Sequence, residues 1–288
     1  LEAEVGFVRF VDCIICAVTV ALPAQGAADV GSVISSFPWN ATPAPGGIYR
    51  DDAYVYAVVR DVSGPEHLRR YTTAGSLLGS VPLAMTYPRE GDHSHLGASY
   101  FCVIDDDTDR LHMVNKTSGA TASSFAVTGP GEKSPREVTW DGVYYYVGGG
   151  VQDPGHYNLY TAAGSLARSW RPAGWPSGLT VPNALAYSSV AVGREGCYLV
   201  ASSAMYSQPN VVIDIVGGSL VASWVMPVYN GAAGAVCGVS SRPGTYRAAY
   251  WVNWNSRNTW YAFEFDIGAA VNPALLPASV GKIRAIYR

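Results

Sequence analysis

Five times along this 288-residue chain a glycine is followed, five residues later, by a serine and then a large apolar side chain. The copies read GSVISSF from Gly31, GSLLGSV from Gly75, GATASSF from Gly119, GSLARSW from Gly164 and GSLVASW from Gly218. Successive glycines lie 44, 44, 45 and 54 residues apart. Such a period, built from short strands, is the signature of a propeller blade. It constrains the fold strongly and the function weakly, because propellers host unrelated activities.

Each period repeats one order of segments. The cleanest reads REVTWDG (136–142), VYYYVGG (143–149), YNLYTAAG (157–164) and SLARSW (165–170), the strands A, B, C and D of an antiparallel meander. The B segments YVYAVV (54–59), YFCVID (100–105), VYYYV (143–147), CYLVAS (197–202) and AAYWVNW (248–254) are nearly continuous apolar runs. That pattern fits strands buried on both faces between neighbouring blades. The repeat glycine belongs at the C–D hairpin, where a positive φ is needed. Strand alternation puts the serine and its bulky neighbour on opposite faces, so the serine reads as a packing or hydrogen-bonding residue rather than a nucleophile.

The two ends of the repeat predict how the ring closes. After TWYAFEFDIG the chain continues AAVNPA, without the serine or the large residue, while SVISSFPW (32–39) precedes any A strand. The expectation is therefore an all-β, five-bladed propeller of four-stranded antiparallel blades, closed by an N-terminal strand and spanning 29–268.

Composition narrows the function classes. Charged residues make up 14% of the chain, the formal net charge is −3, and no basic run exceeds Arg69-Arg70. This leaves no electrostatic footprint for nucleic acid. Phe10 to Ala24 is apolar except for Asp12 and leads into AQGAA, so residues 1–28 read as a secretory signal cleaved near Ala28. The run is shorter than the ~20 residues a membrane span needs, and no membrane insertion of the mature chain is expected. Cys13 and Cys16 fall in this leader. Cys102, Cys197 and Cys237 are too few and too far apart for a disulfide scaffold, although Cys197 and Cys237 could pair if neighbouring blades bring them together.

Functional residues gather on connecting loops. The D–A and B–C connections share one end of such a propeller and vary between blades, so a ligand site is expected there. Its candidate residues are Tyr87, Asp92, His93, His95, His156, Trp175, Tyr206, Tyr229, Asn230 and Trp254. Asp92, His93 and His95 place ligand-type side chains close together in the D–A connection 84–95, with His156 one blade on. A polar loop entering a strand accounts for them equally well, so no metal and no cofactor is assigned. The acidic run Asp105-Asp106-Asp107-Thr108-Asp109 lacks the glycine and closing glutamate of a calcium loop and reads as a polar turn. The aromatics beside asparagines suit stacking on a sugar. A glycosidase would need two carboxylates across a cleft, and Glu90, Asp92, Asp106, Glu132 and Asp153 supply candidates without a motif to select a pair.

SPREVTWDGVYYYV (134–147) followed by NLYTAAGSLARSW (158–170) resembles the degenerate Trp-Asp-Gly propeller repeats of secreted bacterial proteins. The same repeat logic is similar to NHL-type and lactonase-like propellers and to five-bladed glutaminyl cyclases. The resemblance implies a secreted or cell-surface binding module for a glycan, peptide or protein partner. The alternative it implies is an extracellular enzyme, glutaminyl-cyclase-like or polysaccharide-degrading. No catalytic motif comes with it. The tail 269–288 lies outside the repeat, and its basic, part-amphipathic end ASVGKIRAIYR is too short to hold a helix alone in water. It is expected to dock on the ring.

Overall fold

The computed structural model describes residues from 33 to 267, apart from 40–44, 60–64, 131–133, 149–152, 176–181, 192–193, 204–208, 226–234, 242–246, 255–258 and positions 52, 154 and 174. Residues 1–28, expected to be a secretory leader, and the tail 269–288 lie outside the described residues. Among the described residues twenty strands follow one another. They begin with β1 (Val33–Trp39), β2 (Pro45–Arg50), β3 (Tyr54–Val59), β4 (His67–Thr72) and β5 (Leu77–Pro82). Next come β6 (Pro88–His93), β7 (Tyr100–Asp105), β8 (Arg110–Asn115) and β9 (Thr121–Ala126). β10 (Glu137–Trp140), β11 (Tyr144–Gly148), β12 (Tyr157–Thr161) and β13 (Leu166–Trp170) form the third meander. The fourth is β14 (Pro182–Ala191), β15 (Arg194–Ser203), β16 (Pro209–Asp214) and β17 (Ser219–Val225). β18 (Ala235–Ser241), β19 (Arg247–Trp254) and β20 (Thr259–Asp266) are the last strands described.

The result is an all-β propeller of four-stranded antiparallel blades. The sheets have the orders β2-β3-β4-β5, β6-β7-β8-β9, β10-β11-β12-β13, β14-β15-β16-β17 and β1-β20-β19-β18. In the last of these β1 runs antiparallel to β20, with Phe37 opposite Ala262 and Trp39 opposite Trp260. Contacts between sheets run through the first strand of each: β2 touches β6, β6 touches β10, β10 touches β14, β14 touches β18, and β18 touches β2. These A strands are therefore innermost.

Burial explains the apolar B strands. Phe101 and Val103 of β7 pack with Tyr49, Tyr56, Val58 and Leu68 of the preceding blade. Cys102 and Ile104 of the same strand face the other way, onto Val138, Tyr145, Val147 and Tyr160. Both faces of the strand are buried, so hydrophobic residues occur without alternation. Each large side chain so buried contributes roughly 1.5–3 kcal/mol.

The repeat motif also has a physical reason. Gly75, Gly119, Gly164 and Gly218 have φ of 89°, 74°, 82° and 63°, as the C–D hairpin requires. Two of them also receive the end of the preceding blade: a Cβ on Gly119 would stand 2.1 Å from the Pro82 carbonyl oxygen, and one on Gly164 2.5 Å from Cγ of Phe125. The recurrent serines bond across the C–D ladder. Ser169 Oγ donates to Asn158 Oδ1 at 2.6 Å, and Ser124 Oγ accepts from Arg110 Nη2 at 2.9 Å.

One segment departs from expectation. Residues 84–95 do not form a continuous loop, because Pro88–His93 is the innermost strand β6. Its sequence PREGDH shows no apolar period. Burial at the axis is instead compatible with carboxylates, which take up backbone N–H groups that an innermost strand edge leaves without a ladder partner. Glu90 Oε2 accepts from Leu185 N at 2.6 Å, joining the second blade to the fourth.

Candidate turn-side ligand cavity

Where β6, β10 and the later part of β14 approach the A–B end of the propeller, they border an open cavity of about 400 Å³. His93 and Ser94 enter it from the end of β6, Ala98 from the connection to β7, Trp140 and Asp141 from the β10–β11 turn, and Tyr187 and Ser189 from β14. Local sequence builds each part. Asp141 closes its turn by accepting from Val143 N at 2.7 Å and Tyr144 N at 2.6 Å, with Gly142 at φ 99°. The Trp140 ring rests on Tyr145, centroids 4.3 Å apart, which fixes one edge of the cavity.

Behind the lining lies a polar wall. Asp92 is 4% exposed and its Oδ2 accepts from the Thr139 hydroxyl and from Trp140 N. Thr139 Oγ1 in turn accepts from Tyr187 N at 2.7 Å, so one side-chain chain ties β6 to β10 and β14. Burial pushes the Asp92 carboxyl up from its ordinary range, against the pull of His93 and of these hydrogen bonds. His93 is held on its other side. Its Nδ1 shares a 2.8 Å hydrogen bond with the Tyr49 hydroxyl, which accepts from Lys116 Nζ at 3.2 Å. Lys116 also pairs with Asp51 at 3.3 Å, and burial holds its ammonium below the usual lysine range. The arrangement is a rigid aromatic and hydroxyl-bearing pocket with fixed hydrogen-bonding groups, suited to orienting a small polar ligand.

The residues expected to form a site are scattered between the two ends. Asp92 is buried and committed to Thr139 and Trp140, so it is not a surface ligand. His95 follows β6 and lies in the A–B connection, its Nδ1 2.8 Å from the Tyr145 hydroxyl. His156 precedes β12 at the opposite end, paired with Asp153 at 2.9 Å. The grouping of His156 with Asp92, His93 and His95 on one face is therefore corrected: a strand separates them. Tyr87 stands at the loop side, 37% exposed, with the Arg89 guanidinium 4.4 Å from its ring centre. Trp175 packs edge-on to Tyr157, centroids 5.8 Å apart, and against Gly155. Trp254 ends β19. Its side chain lies outside the described residues, as do Tyr206, Tyr229 and Asn230.

The acidic candidates are likewise engaged. Asp105 accepts from Tyr87 N at 3.1 Å and Asp107 N at 3.2 Å, Asp106 pairs with Arg89 at 2.7 Å, and Asp153 binds Arg171. The acidic run thus stitches a turn, as its lack of a calcium-loop pattern suggested. Glu132 lies outside the described residues. Cys102 and Cys197 are free thiols.

Trp140, Asp141, Tyr187 and Ser189 were not singled out by sequence, since Trp140-Asp141-Gly142 reads as a structural turn. One signal was present. The connection after β6 spans 94–99, longer than the other A–B turns described beside it, and it opens the cavity.

No protein family and no curated protein matches the sequence. Among solved structures, a glutaminyl cyclase from Myxococcus xanthus is similar in fold, with a TM-score of 0.59 and 12% identity over 83% of this chain and 97% of that one. At that identity the likeness establishes the propeller fold alone. A chain of a mitotic checkpoint complex aligns with a TM-score of 0.44 at 11% identity, over 78% of this chain and 62% of its own. That alignment carries no argument.

Proposed function

We propose that the chain is a secreted or cell-surface binding module, with the turn-side cavity taking a glycan. One observation carries the reading: the roughly 400 Å³ cavity combines Trp140 and Tyr187 with Ser189 and His93. Its volume falls within the range of small-ligand sites, about 300–1,000 Å³. Flat aromatic surface beside the Ser189 hydroxyl matches a sugar ring, which has an apolar face and a polar rim. A peptide end or a surface partner is the other occupant of the same chemistry. An oligosaccharide array read with the full chain tests it, and Ala98→Trp, which fills the cavity from an exposed position, should abolish the signal.

The second reading is an extracellular enzyme of the glutaminyl cyclase kind. It is supported by the fold likeness alone. Incubating peptides with N-terminal glutamine discriminates the readings. Turnover lost on a single carboxylate substitution would replace the binding module with the enzyme.

A further inference from the structure

The junction between the third and fourth blades breaks the rule that seals the two before it. At Gly119 and Gly164 the preceding blade fills the hollow at the hairpin, leaving no room for a Cβ. At Gly218 no atom of the described residues comes nearer to a Cβ position than Ala173 N, at 3.8 Å. The Gly164–Gly218 spacing is also the longest in the described repeats, 54 residues against 44 and 45. Trp170, the bulky residue of this copy, packs on the cluster shared by the third and fourth blades, its ring 5.9 Å from Tyr157 and 6.5 Å from Tyr146, and does not reach the space at Gly218. The seam stands open as a groove of about 550 Å³, where the equivalent hollow beside Ser80 and Thr117 is about 140 Å³.

The groove has a definite chemistry. Tyr144, Trp170, Ile215 and Val216 line it, and Val216 is 48% exposed. Arg168 and Arg171 stand on its border. Arg168 is exposed and has no hydrogen-bond or ionic partner among the described residues, while Arg171 binds Asp153. Among the described residues no asparagine, glutamine or carboxylate lines the groove, which leaves its polar side chains to the two arginines and to Tyr144 and Tyr146. Arg168, the cation at the groove left without a partner among the described residues, favours an anionic partner on a chain whose net charge is −3. Beside the groove runs β13, the outermost strand of its sheet, with Leu166 to Ser169 exposed along it. An outer strand offers backbone donors and acceptors to an added strand.

We propose that this seam binds an extended peptide in which acidic side chains alternate with apolar ones, laid along β13. The apolar side chains fill the groove between Trp170 and Val216, and a carboxylate pairs with Arg168. The site is separate from the turn-side cavity, and neither depends on the other.

The test is fluorescence anisotropy on the full chain with a fluorescein-labelled peptide of about ten residues alternating glutamate and valine. Two control peptides replace every glutamate by lysine or every valine by serine. The expected result is that both controls bind about tenfold more weakly or not at all. Arg168→Glu should weaken the glutamate–valine peptide by about tenfold with the thermal transition unchanged, because Arg168 is exposed. Equal binding of all three peptides, or indifference to Arg168→Glu, would overturn the proposal. So would binding of labelled trigalacturonate with no peptide binding, which assigns the groove to an acidic glycan. Self-association abolished by Arg168→Glu would assign it to a second copy of the chain and overturn it equally.

Discussion

Gly164 lies against the ring of Phe125, so close that a Cβ there would stand 2.5 Å from Cγ and 2.6 Å from Cβ of the phenylalanine. Phe125 ends one copy of the repeat and Gly164 begins the next. The motif is thus a contact between successive blades as well as a hairpin within each one.

The contact predicts unequal effects at equivalent glycines. Gly164→Ala combines a positive φ with overpacking and is expected to cost roughly 2–4 kcal/mol. Gly218→Ala meets only the backbone penalty, since its nearest neighbour is 3.8 Å away, and should cost about 1 kcal/mol. Urea unfolding of the two variants checks the difference, and equal losses would refute it.

Removing the first strand should damage the whole ring rather than its own blade alone. Without β1, the β20 edge loses its antiparallel partner and becomes an open template for association. A chain beginning at residue 45 is expected to unfold at lower temperature, with a broadened transition and concentration-dependent aggregation. Calorimetry with light scattering measures both.

Glu137 predicts a pH slope. Its carboxyl is fully buried, and neither oxygen has a hydrogen-bond partner at ordinary distance; Tyr157, Arg136 and the backbone of Ala184 are its polar neighbours. Burial raises its pKa well above 4.5, so the folded chain keeps a proton that the unfolded chain releases. The associated stability is full below about pH 4.5 and declines as pH rises, by at most about 1.4 kcal/mol per pH unit. Glu137→Gln should remove this decline and stabilise the protein at pH 8 relative to wild type. Denaturant midpoints across pH decide it; an unchanged slope would show that Glu137 does not hold its proton.

His112 should act in the opposite direction. Burial lowers its pKa from 6.5, and neither ring nitrogen finds a partner among the described residues. The unfolded chain takes up a proton that the folded chain refuses, so stability falls as pH drops below 6.5. His112→Phe is expected to weaken that acid-side loss, read from the same midpoints between pH 6.5 and pH 5.

Much of the fold was legible because propeller strands leave local marks. The hairpin glycines need positive φ, and B strands such as YFCVID are apolar on both faces, so each signals its place without knowledge of the rest. β6 was not legible. PREGDH carries two carboxylates that bond to β10 and β14, partners 95 residues away in the case of Glu90 and Leu185. Long-range satisfaction of that kind leaves no period. The same strand displaced the expected histidine cluster, sending His95 to one end of the propeller and leaving His156 at the other. Trp140 escaped notice for a related reason: its turn is repetitive in sequence, and only the neighbouring six-residue connection 94–99 makes it a wall of the cavity.

The most direct test of the binding account is ligand-detected NMR with the best oligosaccharide from the array, comparing wild type with Ala98→Trp and Trp175→Ala. The account predicts that Ala98→Trp eliminates saturation transfer while Trp175→Ala, at the loop side, leaves it intact. Loss of transfer in Trp175→Ala with full retention in Ala98→Trp would contradict the turn-side cavity and move the ligand to the opposite end of the propeller.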